Sequence, residues 1–288
     1  MPELFQEDFM RRALLGVLLA SINCGVLGAY VVTRRMAFIS TALTHTVLPG
    51  VVFAYLRDFS IYWGALGAAL LTALGVGGIA GGRELREDTA IGVVLSFMFA
   101  AGVALMSLRR SYRDFQDLLF GSALGVTDAD LWMIGGASAL VLAVLALFHK
   151  ELELSSYDEE HARRCGCSPA MLRILLLVLV ALGTVSCVRL VGALLTTALL
   201  VTPAAAALLV ARTLPRVMAV AALIGSVSGV GGLVLSYYHP VPSGAAVVLV
   251  CSAIFLAVFA GRTLFQRFAT SAAAGAVHDL GTGTTVKR

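Results

Sequence analysis

The stretch MAFISTALTHTVLPGVVFAYL, residues 36–56, is apolar enough and long enough to cross a bilayer, yet it carries His45 near its middle. Four residues further on stand Pro49 and Gly50. An ionisable side chain at membrane depth is costly, so the imidazole reads either as a functional group or as a histidine packed and hydrogen-bonded against a neighbouring helix. Proline has no amide to donate, so the Pro-Gly pair loosens the helix beside it. The freed backbone groups must then be satisfied by protein or by a water-filled path.

The rest of the chain has the same character. Its 288 residues are 59% hydrophobic and 13% charged, with a mean hydropathy of +0.92. Soluble domains carry about 25% charged residues, so this chain has too few to cover a water-facing surface. Apolar runs recur at about 13–32, 36–56, 61–80, 90–108, 131–148, 172–188, 190–211 (interrupted by Pro203), 217–237 and 244–261. They define an all-α, polytopic transmembrane helical bundle of nine spans, or eight if one run is re-entrant. Residues 1–12 read as a short amphipathic segment, 13–262 as the transmembrane domain with a charged loop at 149–171, and 263–288 as a mobile tail. No basic residue occurs in Met1–Asp8, so no cleavable signal peptide is expected. Residues 109–130 begin too polar to cross, and their LLFGSALG reads as a short surface or re-entrant helix.

The net charge of +4 sits at the ends of apolar runs, where it reports topology rather than a nucleic-acid surface. With 33–36, 81–89, 149–173, 212–216 and 262–288 placed inside, the cytoplasmic loops hold fourteen Lys/Arg against seven outside. That bias predicts an external N-terminus and a cytoplasmic C-terminus, with Arg109, Arg110 and Arg113 the outside exceptions. Of five cysteines, Cys24, Cys187 and Cys251 lie in apolar runs and read as small hydrophobes, while Cys165 and Cys167 form a lone C-G-C in a polar loop.

All 17 acidic residues fall outside the proposed spans, and none occurs between His161 and His278. That excludes a carrier built on buried carboxylates. No H-E-x-x-H, paired acids or P-loop occurs either, so the chain reads as no enzyme, and energy for transport must come from another chain. His149, His161 and His278 read as solvated. His239 stands at the predicted external mouth of the last two spans, beside two tyrosines and two prolines. Imidazole suits first-row divalent metals, and a transit site need only hold its ion weakly. His239-Pro240 also suits an ordinary loop turn.

These residues resemble the membrane-spanning permease subunit of ATP-binding-cassette importers for manganese, zinc or iron. Arg34-Arg35-Met36, A-L-x-H at 42–45 and L-P-G at 48–50 look like the family's second-helix signature. DTAIGVVLS (88–96), LFGSALGVT (119–127), VGALLTTALLVTPAAAA (191–207) and PVPSG (240–244) follow in the family's order. The resemblance implies a type II-like importer in a bacterial inner membrane. Its partners would be cytoplasmic ATP-binding subunits, a second permease (identical or homologous) and an external metal-binding lipoprotein, with a divalent ion as cargo and no resident cofactor. It also implies metal contacts at His45 and His239, and a cytoplasmic helix within Ser156–Pro169 that docks on the ATPase through Asp158, Glu159, Ala162 and Gly166. One departure stands out. The family has Asp four residues before the helical His, whereas this chain has Thr41, a far weaker ligand on the same helix face. Two rival readings are a permease for a metal chelate (siderophore, haem or cobalamin) and a non-transport scaffold or sensor.

Overall fold

The computed structural model describes residues 8–81, 86–107 and 128–282, and within them the chain is helical without strands. The helices are α1 (Asp8–Thr33), α2 (Phe38–Thr46), α3 (Leu48–Leu56), α4 (Ile61–Ala80), α5 (Glu87–Ser107) and α6 (Asp128–Leu147). They continue as α7 (His149–Tyr157), α8 (Glu159–Arg164), α9 (Pro169–Val191), α10 (Ala193–Val210), α11 (Leu214–Tyr238) and α12 (Ser243–Thr282). Among the described residues, eight segments are long and apolar enough to cross a membrane, or nine if the bent pair α6–α7 is one span. The two halves of that pair meet at 68°. The eight-or-nine expectation therefore holds. The LLFGSALG segment, the LFGSALGVT block and Arg109, Arg110 and Arg113 lie outside the described residues, as do residues 1–7 of the expected N-terminal segment.

α1 is the axis of the bundle, packed by α11, α10, α6 and α9. Lipid is as apolar as leucine, so association between membrane helices depends on close packing and polar glue. Both occur here. Gly25 of α1 lies against the backbone of Ala222, and Gly28 against that of Leu200. Asn23 Nδ2 donates to Ser138 Oγ of α6 at 3.0 Å, wholly buried. Tyr62 of α4 and Ser186 of α9 share a buried hydroxyl contact at 3.2 Å. α5 and α12 form the periphery, with only 22% and 17% of their spanning windows buried inside this chain.

The residue 36–56 run forms one span in two pieces. α2 ends at Thr46 and α3 starts at Leu48, with the break at Val47. Pro49 falls in the first turn of α3, where a missing amide costs no hydrogen bond. The loosening thus lies just before the Pro-Gly pair, next to His45. Pro203 behaves differently from the expected interruption: α10 runs through it to Val210, with the ring buried among its neighbours. Tertiary packing holds that helix together despite the lost amide. α12 likewise continues past residue 262 to Thr282, through an alanine-rich segment of high helix propensity.

Arg12 at the start of α1 pairs with Asp128 at the start of α6 at 2.8 Å, so those ends share one side of the bundle. The end of α1, the loop into α5 and the α7–α8 segment share the other side, joined by Arg34, Glu87, Glu159 and Arg173.

Candidate functional site

His45 sits in the last turn of α2, half-buried, with its ring edge-on to Phe99 of α5 at a centroid distance of 6.1 Å and 86° between planes. Thr41 lies one turn earlier, also half-buried, and its carbonyl accepts from Thr44 Oγ1 at 2.9 Å. Positions i and i+4 share a helix face, so the hydroxyl and the imidazole line one stripe. Two tight approaches hold the stripe in place. Gly50 of α3 and Gly64 of α4 lie backbone to backbone, and Gly102 of α5 meets the Leu48 side chain, with room for a Cβ at only 3.0 Å. The broken span is thereby clamped between α4 and α5.

His239 caps the C-terminus of α11 in extended backbone (φ −126°, ψ 147°) and is exposed. Its neighbourhood is ordered by Val241 N donating to its carbonyl at 2.7 Å and by Ser236 Oγ donating to Val241 O at 2.8 Å. Among the described residues nothing joins His239 to His45, and no cluster of three or more His, Cys, Asp or Glu side chains gathers into a closed metal centre. Among the described residues, then, the geometry provides an imidazole–hydroxyl stripe on the α2–α3 span and a separate, exposed imidazole at the end of α11. Such a stripe can contact a passing cation but cannot sequester it, because an open set of neutral ligands leaves most of the coordination shell to water.

The charged segment 149–173 folds into a defined unit. Asp158 is the N-cap of α8 and accepts the His161 amide at 2.9 Å, a bond that holds its carboxyl below the ordinary aspartate range. The other end closes with the amides of Gly166 and Cys167 donating back to the carbonyls of Arg163 and Ala162, both at 3.0 Å. Gly166 takes φ +84° to make that paired C-terminal turn, a backbone conformation glycine adopts without strain. Ala162 is fully buried, so it seats α8 against the bundle, while Asp158 and Glu159 stay exposed. His161 Nε2 and Cys165 Sγ stand 3.8 Å apart on the exposed face.

The sequence reading missed two kinds of residue. Phe99 carries no signal of its own in an apolar run. Arg173 does, as a cation five residues into α9, and it joins groups on three other elements. Its guanidinium pairs with Glu87 of α5, bonds Glu159 of α8 at 2.8 Å and donates to Ala80 O of α4 at 2.9 Å. It is only 11% exposed. Nearby, Arg34 Nε donates to Ser156 Oγ at 2.9 Å. Burial and the positive Arg173 lower the Arg34 pKa, and Glu87 and Glu159 work against that shift. A cavity of about 390 Å³ opens beside these groups, lined by Arg35, Arg86 and Arg163 among others.

Comparison with known proteins supplies the context. The manganese transport system membrane protein MntC of Halalkalibacterium halodurans is 36% identical over 258 residues, covering 89% of this chain and 88% of that protein. The manganese import system permease protein ScaB of Streptococcus gordonii is 34% identical over 251 residues, covering 87% and 90%. The solved structure of PsaBC from Streptococcus pneumoniae in complex with Fab matches with a TM-score of 0.78 at 32% identity, covering 90% of this chain and 93% of that one. A family model spans residues 6–262, and on that match the chain belongs to the ABC 3 transport family.

Proposed function

We propose that this chain is the membrane-spanning permease of an ATP-driven importer for a divalent transition metal, with manganese the first candidate. Family membership supports the class, and two relatives named for manganese transport support the cargo. The observation that carries the reading at residue level is His45. It is an imidazole on a half-buried stripe of a broken span, one turn from Thr41 and against Phe99. The chain itself catalyses nothing. ATP-binding subunits dock on the side of the bundle bearing α7 and α8, which is the cytoplasmic side of a bacterial inner membrane. A metal-binding lipoprotein delivers the ion to the opposite side near His239. A second permease, identical or homologous, faces the thinly covered α5 surface and completes the ion path.

In this reading α8 is the docking helix. Asp158 and Glu159 present negative charge to the ATPase, Ala162 fixes the helix to the bundle, and Gly166 sets its exit. Alternating access follows when ATP closes the two ATPases and the docking helices move with them. Thr41 in place of an acid makes the path one of imidazole and water, or leaves the carboxylate to the partner permease.

The test is uptake of labelled manganese into proteoliposomes holding permease, ATPase and receptor. His45→Ala should abolish ATP-dependent uptake while the ATPase still co-purifies. Uptake at the wild-type rate would remove His45 from the path.

A further inference from the structure

We infer that Arg173 is the coupling link of this permease, a positioning residue that joins movement of the docking helix to the helix break beside His45. The inference rests on the importer reading above and specifies which contacts carry its motion.

Arg173 holds three elements besides its own. Through Glu159 it holds α8, through Ala80 O the end of α4, and through Glu87 the start of α5. Those two spanning helices are the ones that clamp the broken span at its other end. α4 meets α3 where Gly64 lies on Gly50. α5 meets α2 where Phe99 edges His45, and meets α3 where Gly102 lies on Leu48. Glu87 to Phe99 is twelve residues of uninterrupted helix, a rod of about 18 Å. A displacement of α8 reaches Glu87 and Ala80 through one guanidinium, and rigid helices carry it to both sides of Val47. Arg173 is 11% exposed and Glu87 25%, so that pair keeps strength that exposed pairs lose to screening, whereas the pair with Glu159 is open to water on the carboxylate side. A planar fork spreads its donors over three nitrogens and so serves two carboxylates and a carbonyl on separate elements in fixed directions; an ammonium has its three donors on one atom and cannot span the same acceptors in that geometry.

The alternative role for such a cluster is static, fastening α8 to the bundle. The two roles differ in what fails. A static fastener, once weakened, lowers assembly and stability. A coupling link, once weakened, leaves assembly and ATP hydrolysis in place and lowers the metal moved per ATP.

The experiment uses the whole complex in proteoliposomes, with manganese uptake and phosphate release measured together. Arg173→Lys keeps the charge and nearly the length. It is expected to hydrolyse ATP within about two-fold of wild type while manganese per ATP falls about ten-fold, the loss of roughly one charge-assisted hydrogen bond, or about 1.4 kcal/mol. Glu87→Gln, at the other end of the same bond, should produce a similar loss, and the double variant should lose no more than either alone, because both cut one link. A wild-type ratio in Arg173→Lys, or losses that multiply in the double variant, would overturn the inference. Failure of the wild-type complex to take up manganese on ATP would instead overturn the importer reading. Loss of the ATPase from purified Arg173→Lys would assign the cluster to static fastening.

Discussion

Replacing Gly50 by alanine tests the clamp around the broken span. A Cβ there would lie 2.7 Å from Ala68 Cβ and 2.7 Å from the carbonyl carbon of Gly64, and closer still to the Gly64 oxygen. Carbon–carbon contacts settle at about 3.5–4.0 Å, so α3 and α4 would have to part by about 1 Å. Two of those three atoms are backbone and the third is a methyl with no rotamer to change, so little of the strain can be absorbed locally. The cost should lie toward the upper end of overpacking, about 2–3 kcal/mol. For a chain of this size that corresponds to a melting temperature lower by roughly 4–8 °C in detergent. Gly67→Ala on α4 is the matched control, because nothing lies within 4 Å of a Cβ at that position. Thermal unfolding followed by tryptophan fluorescence reads both variants. A Gly50→Ala protein melting within about 1 °C of wild type would show that α3 and α4 do not meet at this crossing.

Other expectations follow from the same structure. Gly64→Ala should cost as much as Gly50→Ala, and the double variant should be less than additive once the crossing has opened, read from the same melts. Gly166→Ala meets no steric neighbour but forces φ +84° on a residue with a Cβ, costing about 1 kcal/mol; faster limited proteolysis of the 158–168 segment measures it. Asp158→Ala should fray α8 and speed the same cleavage, whereas Asp158→Asn keeps a capping oxygen and should not. The Asp158 pKa is depressed in the folded state, so the cap's contribution is complete above the ordinary carboxylate range and fades only as pH falls through the lower folded value. Cleavage rates should therefore stay flat from neutral pH to about 5. Thr41→Asp places a carboxylate one turn from His45 and should tighten divalent-ion retention in equilibrium binding; an unchanged affinity would place that stripe away from the ion.

Much of this architecture could be read from hydropathy, because a membrane imposes one strong rule on every crossing segment. The run at 36–56, the spacing of the spans and the charged loop at 149–173 all follow from it. Finer features did not. The Pro49-Gly50 pair predicts loosening, but the break falls at Val47, since proline prefers the first turn of the new helix. Pro203 predicts an interruption that neighbouring helices override. His45 was visible as an expensive residue, whereas Phe99 was one apolar residue among many. Arg173 counted only as a topology charge, because a tally of cations per loop carries no information on which side chain turns inward to meet Glu87 and Ala80. Long-range pairing of this kind is set by tertiary packing rather than by local pattern.

The central position of α1 has a consequence for how the chain is made. α1 is made before the helices that pack on it, and two of its closest backbone contacts, Gly28 with Leu200 and Gly25 with Ala222, involve α10 and α11, which follow much later. At ordinary translation rates the 172 residues between Gly28 and Leu200 take roughly 10–35 s to synthesise. Until Ser138 of α6 is made, Asn23 waits in lipid without its final partner, a tolerable state for a helix whose own backbone bonds are complete. Packing around α1 is therefore completed late, when α10 and α11 join α6 and α9 against it. Chains truncated before α10 should persist as inserted but unassembled helices, exposed to the membrane's quality-control proteases.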